Sequence, residues 1–223
     1  MDKRLLAQAL FKFSLGLLLT GLLLFVPAGT IRYPKAWLLL AVLFVPMFLA
    51  GLVLLFKRPD LLRKRLNLKE VEPRQKQIVA LSGVMFLCGF CTAGLDHRFG
   101  WLPVPGWVSA VGAVLFLLAY VFYALVLCEN TYLSRTIEVQ PGQQVVDTGL
   151  YAIVRHPMYS ATLALFLSMP LILGSVLSLP IFLFYIPIIA SRIQNEEQVL
   201  VSQLPGYSEY KKRVKYRLIP LIW

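Results

Sequence analysis

The stretch HPMYSATLALFLSMPLILGSVLSLPIFLFYIPIIAS, residues 156–191, runs for 36 residues without an Asp, Glu, Lys or Arg. As one helix it would be about 54 Å long, whereas roughly 20 residues cross a hydrocarbon core of about 30 Å. It is too long for one crossing. Pro170, Gly174, Ser175, Ser178 and Pro180 crowd its middle. This spacing predicts two shorter helices, about 157–173 and 179–194, joined by a turn. Backbone groups freed at that turn must be satisfied by protein or water, since lipid offers no partner. The pair then returns to the side from which it entered.

Working outward, four more uncharged runs cover 13–31, 36–56, 77–95 and 99–128, the last suited to span from Pro105 or Gly106 onward. The 223 residues are 58% hydrophobic and 15% charged, against about 45–50% and 25% in soluble domains. That excludes a water-coated globule and a disordered chain, and three cysteines are too few for a disulfide scaffold. The expected fold is an all-α integral membrane protein. It has about five membrane segments, the last a helical hairpin, and an amphipathic C-terminal helix. Residues 1–128 form about four N-terminal transmembrane helices, and 129–223 a second functional half.

Charge sets the orientation. With the last segment folded back, 19 of the 22 Lys and Arg lie on one side, leaving Arg32, Lys35 and Arg98 opposite. A single crossing would place nine opposite and 13 on the first side. Positive charge marks the cytoplasmic face, so the hairpin is favoured and both termini are expected to be cytoplasmic. A bacterial inner membrane is expected ahead of the endoplasmic reticulum.

Other signals are weak. The +11 charge flanks apolar spans, so attraction to anionic lipid explains it better than nucleic acid. The first apolar run exceeds a signal-peptide core and is expected to be retained. Cys88-Gly-Phe-Cys91 lies within an expected span, where small residues serve helix packing. Asp96-His97-Arg98 lacks the ligands for a metal, and no metal is expected. No dinucleotide fingerprint, P-loop or long repeat occurs.

The chemistry begins at Glu129. A polar, turn-rich segment leads into Gly149-Leu150-Tyr151-Ala-Ile-Val-Arg155-His156-Pro157-Met-Tyr159. Pro157 suits the first helical position, with His156 at the N-cap. The dipole end and Arg155 can receive a carboxylate or phosphate; a plain alternative has Arg155 meeting lipid phosphate and His156 only capping. The second hairpin helix ends in Arg192-Ile-Gln-Asn-Glu196-Glu197. Arg192 and Glu196 are spaced for an ion pair, while Glu197 points about 100° away. A solvated helix end explains both acids equally well.

Closure of the hairpin should bring His156 near Glu197. In the tail, Tyr207, Tyr210 and Val214 recur at helical spacing over a basic back, a pattern that also suits an interfacial helix. Together these parts offer an anion-receiving helix start, carboxylates, and tyrosine faces that attract a cation. S-adenosylmethionine fits that set, as would a phosphocholine or amino-acid ligand.

Three linked blocks carry a family resemblance: Gly149-x-Tyr151-x-x-x-Arg155-His156-Pro157-x-Tyr159, Arg192-Ile-x-x-Glu196-Glu197, and Gly206-Tyr207-x-x-Tyr210-Lys-Lys-Arg213-Val with Arg217-Leu-Ile-Pro220. The chain resembles the isoprenylcysteine carboxyl methyltransferase family and its bacterial and phospholipid-methyltransferase relatives. Leu150 stands where proline is common, Ala152 where a basic residue often sits, and Ala161 where glycine is frequent. The resemblance implies S-adenosylmethionine as cofactor, held by Gly149, Leu150, Tyr151, Arg155, His156, Pro157, Tyr159, Glu196, Glu197, Tyr207 and Tyr210. It implies Arg213 and Glu197 as catalytic residues, with Arg213 orienting an acceptor carboxylate. The implied partners are the bilayer and a lipophilic methyl acceptor, an isoprenylcysteine-like carboxylate or a related lipid. A phospholipid or amine N-methyltransferase, and a non-enzymatic accessory or transport protein, are the alternatives.

Overall fold

The computed structural model describes residues 3–67, 73–134 and 136–223. Of the charges counted above, Lys69 and Arg135 lie outside the described residues. The helices are α1 (Lys3–Ala28), α2 (Pro34–Lys57), α3 (Pro59–Leu66), α4 (Pro73–Phe99), α5 (Gly106–Glu129), α6 (Pro157–Leu173), α7 (Leu179–Leu183), α8 (Tyr185–Gln203) and α9 (Tyr207–Arg213). A 3₁₀ turn covers Gly149–Ala152. Helices α1, α2, α4 and α5 are long and apolar enough to cross a membrane, and α6 is a shorter apolar helix. Proline opens α2, α3 and α6, where its missing N–H has no intrahelical partner to lose.

Contacts sort the connections into two ends. At one end, the Tyr33 hydroxyl donates to the Leu173 carbonyl at 2.9 Å and the His97 ring stacks on Tyr33 with centroids 3.9 Å apart. There too, Lys35 Nζ donates to the Val104 carbonyl at 3.0 Å. At the other end, Lys64 Nζ donates to Gln140 Oε1 at 2.6 Å, and Lys12 Nζ donates to the Leu66 carbonyl. His156 Nε2 lies 3.3 Å from Glu197 Oε1 at that second end. The chain between them therefore folds back, as the length of the uncharged run requires, and the molecule is a multi-pass, all-helical membrane protein.

Close packing holds the fold-back in place. At Gly112 of α5 a Cβ would stand 2.8 Å from the Ile172 nitrogen of α6, so only glycine lets these two backbones meet. Gly174, at φ +64°, closes α6 in the left-handed conformation. Phe182, Phe166 and Tyr185 from the two limbs pack against Phe86 and Phe90 of α4, with Phe166 and Tyr185 centroids 4.6 Å apart.

Two details differ from the sequence expectation. The second limb is broken at Phe184 into α7 and α8, and α8 runs on to Gln203 rather than stopping near residue 194. Pro187 cannot donate to the Leu183 carbonyl, which releases the chain at the break. The tail helix is short: it ends at Arg213, and Val214 is extended. Beyond it the backbone is claimed by the hairpin's start, because Arg155 N donates to Tyr216 O and His156 N to Arg217 O, each at 2.9 Å.

Candidate functional site

The site is built where α5 ends, α6 begins and the polar part of α8 returns. Glu197, past the apolar run of α8, is buried. Its Oε1 accepts from Arg155 Nε at 2.7 Å and faces His156 Nε2; its Oε2 faces Arg217 Nε at 3.3 Å and Lys211 Nζ at 3.4 Å. Arg155 Nη1 also donates to the carbonyls of Val214 and Lys215, at 2.7 and 2.8 Å. Burial pushes the Glu197 carboxyl up, but hydrogen bonds and charge from His156 and Arg155 outweigh it and hold the group well below the usual carboxylate range. The acid expected to lack a local partner is thus the anchor that ties the tail to the hairpin. Arg155, expected to await an outside anion, is directed at this internal one.

Beside this clasp opens a cleft with about 820 Å³ of free space, counting its open mouth. Tyr151, Arg155, His156, Tyr159, Glu196, Tyr207 and Tyr210 line it, so the structure brings together seven of the residues selected from sequence. The Tyr159 hydroxyl donates to Glu196 Oε2 and accepts from Arg192 Nε at 2.9 Å, which fixes the carboxylate at the wall. Tyr207, Tyr210 and Val214 form a buried cluster with Leu204, so the tail's aromatic stripe faces the protein. Tyr210 donates to the Tyr151 carbonyl at 2.8 Å. The Tyr207 hydroxyl is buried and finds no hydrogen-bond partner among the described residues. Burial first, then the charge of Glu197, raises its pKa; it stays a neutral phenol able to donate.

Gly149, Leu150, Pro157, Glu197 and Arg213 do not line the cleft. Gly149 has φ +54°, and a Cβ there would collide with the Glu129 carboxylate. Glu129 Oε2 accepts from the Leu150 N–H at 3.0 Å. Pro157 is buried at the first position of α6. Arg213 is exposed and paired with Asp147.

The opposite wall was not selected from sequence. It comes from the irregular chain after α5, including Tyr132, Thr136, Glu138 and Val145. Thr136 Oγ1 donates to Glu138 Oε1 at 3.2 Å, and Asn130 Nδ2 donates to the Tyr151 hydroxyl at 3.0 Å. The signal available was only that a polar loop lies between two membrane helices.

A curated relative, the Delta(14)-sterol reductase TM7SF2 of Mus musculus, is 34% identical over 91 residues, 40% of this chain. The match takes in 22% of that protein's length. In fold, the chain is similar to the structure of the eukaryotic intramembrane Ras methyltransferase ICMT (isoprenylcysteine carboxyl methyltransferase) without a monobody. That likeness has a TM-score of 0.58 at 20% identity and covers 92% of this chain and 74% of the other. Residues 110–202, from α5 through the hairpin to the end of α8, match the model of the isoprenylcysteine carboxyl methyltransferase (ICMT) family. That match marks this part of the chain, which carries the hairpin and much of the cleft wall, as similar to the isoprenylcysteine carboxyl methyltransferase family.

Proposed function

We propose that the chain is an S-adenosylmethionine-dependent methyltransferase acting on a lipophilic acceptor at the cytoplasmic membrane face. The observation that carries this reading is the cleft wall of Tyr151, Tyr159, Tyr207 and Tyr210 around Glu196. Tyrosine faces and a carboxylate attract a sulfonium, and the unpartnered Tyr207 hydroxyl is a donor suited to a polar group of the cofactor. Residues 129–223 would hold that cofactor, and 1–128 the acceptor's lipid side.

S-adenosylmethionine supplies an electrophilic methyl group. The protein's contribution is to hold the acceptor against it with water excluded. A carboxylate acceptor needs no base. An amine acceptor must first lose a proton, for which Glu196 and His156, both on the wall, are within the site. Glu197 would act indirectly, by fixing Arg155 and His156.

The test is calorimetry in detergent with S-adenosylmethionine, followed by transfer of labelled methyl to prenylcysteine and phosphatidylethanolamine in competition. Binding with methyl on prenylcysteine supports the reading, and methyl on the phospholipid selects the amine alternative. No binding overturns it in favour of an accessory or transport role. The sterol reductase relative favours a second reading, reduction of a lipophilic double bond; consumption of a nicotinamide reductant with a sterol would select that one.

A further inference from the structure

We propose that the turn Ile219-Pro220-Leu221-Ile222 docks on an anionic lipid leaflet and so ties the buried Glu197 clasp to the membrane surface at the second end of the molecule. The sequence points to Tyr207, Tyr210 and Val214 as an interfacial stripe, but all three are buried against the protein. The apolar groups left for lipid come later in the chain. Leu221 is 85% exposed and Ile222 76%. Leu221 also has φ +67°, and no other non-glycine among the described residues adopts the left-handed region. A bulky side chain is rarely held there, and such strain persists where the group it displays serves a purpose.

The turn is firmly built. The Trp223 carbonyl oxygen accepts from the N–H groups of Arg217, Leu218 and Ile219 at 2.9, 2.9 and 3.2 Å. Ser160, in the first turn of α6, donates to the Leu218 carbonyl at 2.6 Å, and Leu218 is buried in the main core. These bonds set the turn beside the start of an apolar helix, at the level where water gives way to lipid. Charge completes the match. Lys211 and Arg217 face Glu197, and Arg213 faces Asp147. Lys212 and Lys215 are exposed and form no ion pair among the described residues. Two open ammonium groups beside two exposed aliphatic side chains suit an anionic leaflet: charge draws the segment to the headgroups, and the apolar groups leave water for the acyl boundary. The clasp is linked to this contact. The Arg217 guanidinium carbon lies 4.9 Å from the centre of the Trp223 ring, and its Nε lies 3.3 Å from Glu197 Oε2. A turn held by lipid thereby holds Arg217 on Glu197, next to Arg155 and His156 of the cleft wall. This assignment needs the membrane fold and not the cofactor proposed above.

The experiment is hydrogen exchange of the full chain in nanodiscs of phosphatidylcholine alone and of an equimolar mixture with phosphatidylglycerol. With two lysines near an anionic surface, the amides of 214–223 should exchange roughly 10-fold more slowly in the mixed disc. Added salt should remove the difference. Leu221→Ser with Ile222→Ser should abolish it while α5 and α6 keep their exchange rates, and Lys212→Gln with Lys215→Gln should do the same. Equal exchange of 214–223 by the wild type in the two discs overturns the assignment, as does a difference that survives both double variants. If the serine pair loosens α5 and α6 as well, the lysine pair decides. A nitroxide at Leu221→Cys, with Cys88, Cys91 and Cys128 replaced by serine, gives an independent reading. Relaxation by oxygen in preference to a water-soluble nickel chelate supports insertion. The same chelate accessibility as a label at Lys212→Cys overturns it.

Discussion

Arg155 and Glu197 form an ion pair 2.7 Å long whose side chains are 4% and 3% exposed, and the pair joins the segment just before α6 to the later part of α8. Removing one partner of a buried pair leaves the other charge desolvated, at a cost of about 3–5 kcal/mol. Glu197→Gln should therefore lower the melting temperature in detergent sharply. Glu196→Gln should lower it less and weaken S-adenosylmethionine binding more, because Glu196 is the acid on the cleft wall. Thermal unfolding and calorimetry on the two variants, side by side, check the division of labour. Equal melting temperatures for the two would contradict it.

The same pair sets an acid limit on stability. The folded pKa of Glu197 lies below its ordinary value of 4.5. Its contribution to stability is complete above pH 4.5 and is lost as pH falls through the lower, folded value. Melting temperature should thus be insensitive to this group from neutral pH down to about 4.5 and decline below it. In Glu197→Gln that part of the acid decline should be missing. A wild-type decline that is unchanged in Glu197→Gln would contradict the assignment.

Gly149 can be tested against Gly142. Both have positive φ, +54° and +72°, but a Cβ at Gly142 meets nothing within 4 Å, whereas one at Gly149 strikes Glu129. Gly142→Ala should cost about 1–2 kcal/mol for the left-handed backbone alone, and Gly149→Ala more. Adding Glu129→Ala should bring the second variant close to the first. Chemical denaturation of the four proteins measures the difference, and no rescue by Glu129→Ala would place the strain elsewhere.

The legible parts of this molecule are those governed by length and local chemistry. Pro157 and Gly174 bound α6 because one cannot donate and the other can turn left-handed, so its limits read directly from sequence. The meeting of His156 with Glu197 followed from the need to fold a 36-residue apolar run back on itself. What could not be read was contact from afar. Lys211 reaches Glu197 from α9, and Arg217 reaches it because the chain beyond Arg213 lies along Arg155 and His156. Arg65 looks like one of many topological charges until its side chain is found beside Met158 of α6 and Tyr123 of α5. The wall from Tyr132 to Val145 has no periodicity to betray it, because its shape is set by isolated side-chain bonds such as that of Gln140 Nε2 to the Tyr132 carbonyl at 2.7 Å.

Tyr207 and Tyr210 provide the last test, since they share a cluster but not a bonding state. The Tyr207 hydroxyl is buried without a partner among the described residues, whereas that of Tyr210 donates to Tyr151 at 2.8 Å. An unsatisfied buried hydroxyl costs about 1–3 kcal/mol, so Tyr207→Phe should raise the melting temperature of the ligand-free protein. Tyr210→Phe leaves the Tyr151 carbonyl unmet and should lower it. Cofactor affinity should move the other way for Tyr207→Phe, falling roughly 2- to 10-fold for one lost hydrogen bond. A hydroxyl kept at the expense of stability is understandable if a ligand completes it. Should Tyr207→Phe be stabilised with undiminished affinity for S-adenosylmethionine, the hydroxyl faces no cofactor atom and the orientation of the ligand in the cleft must be drawn without it.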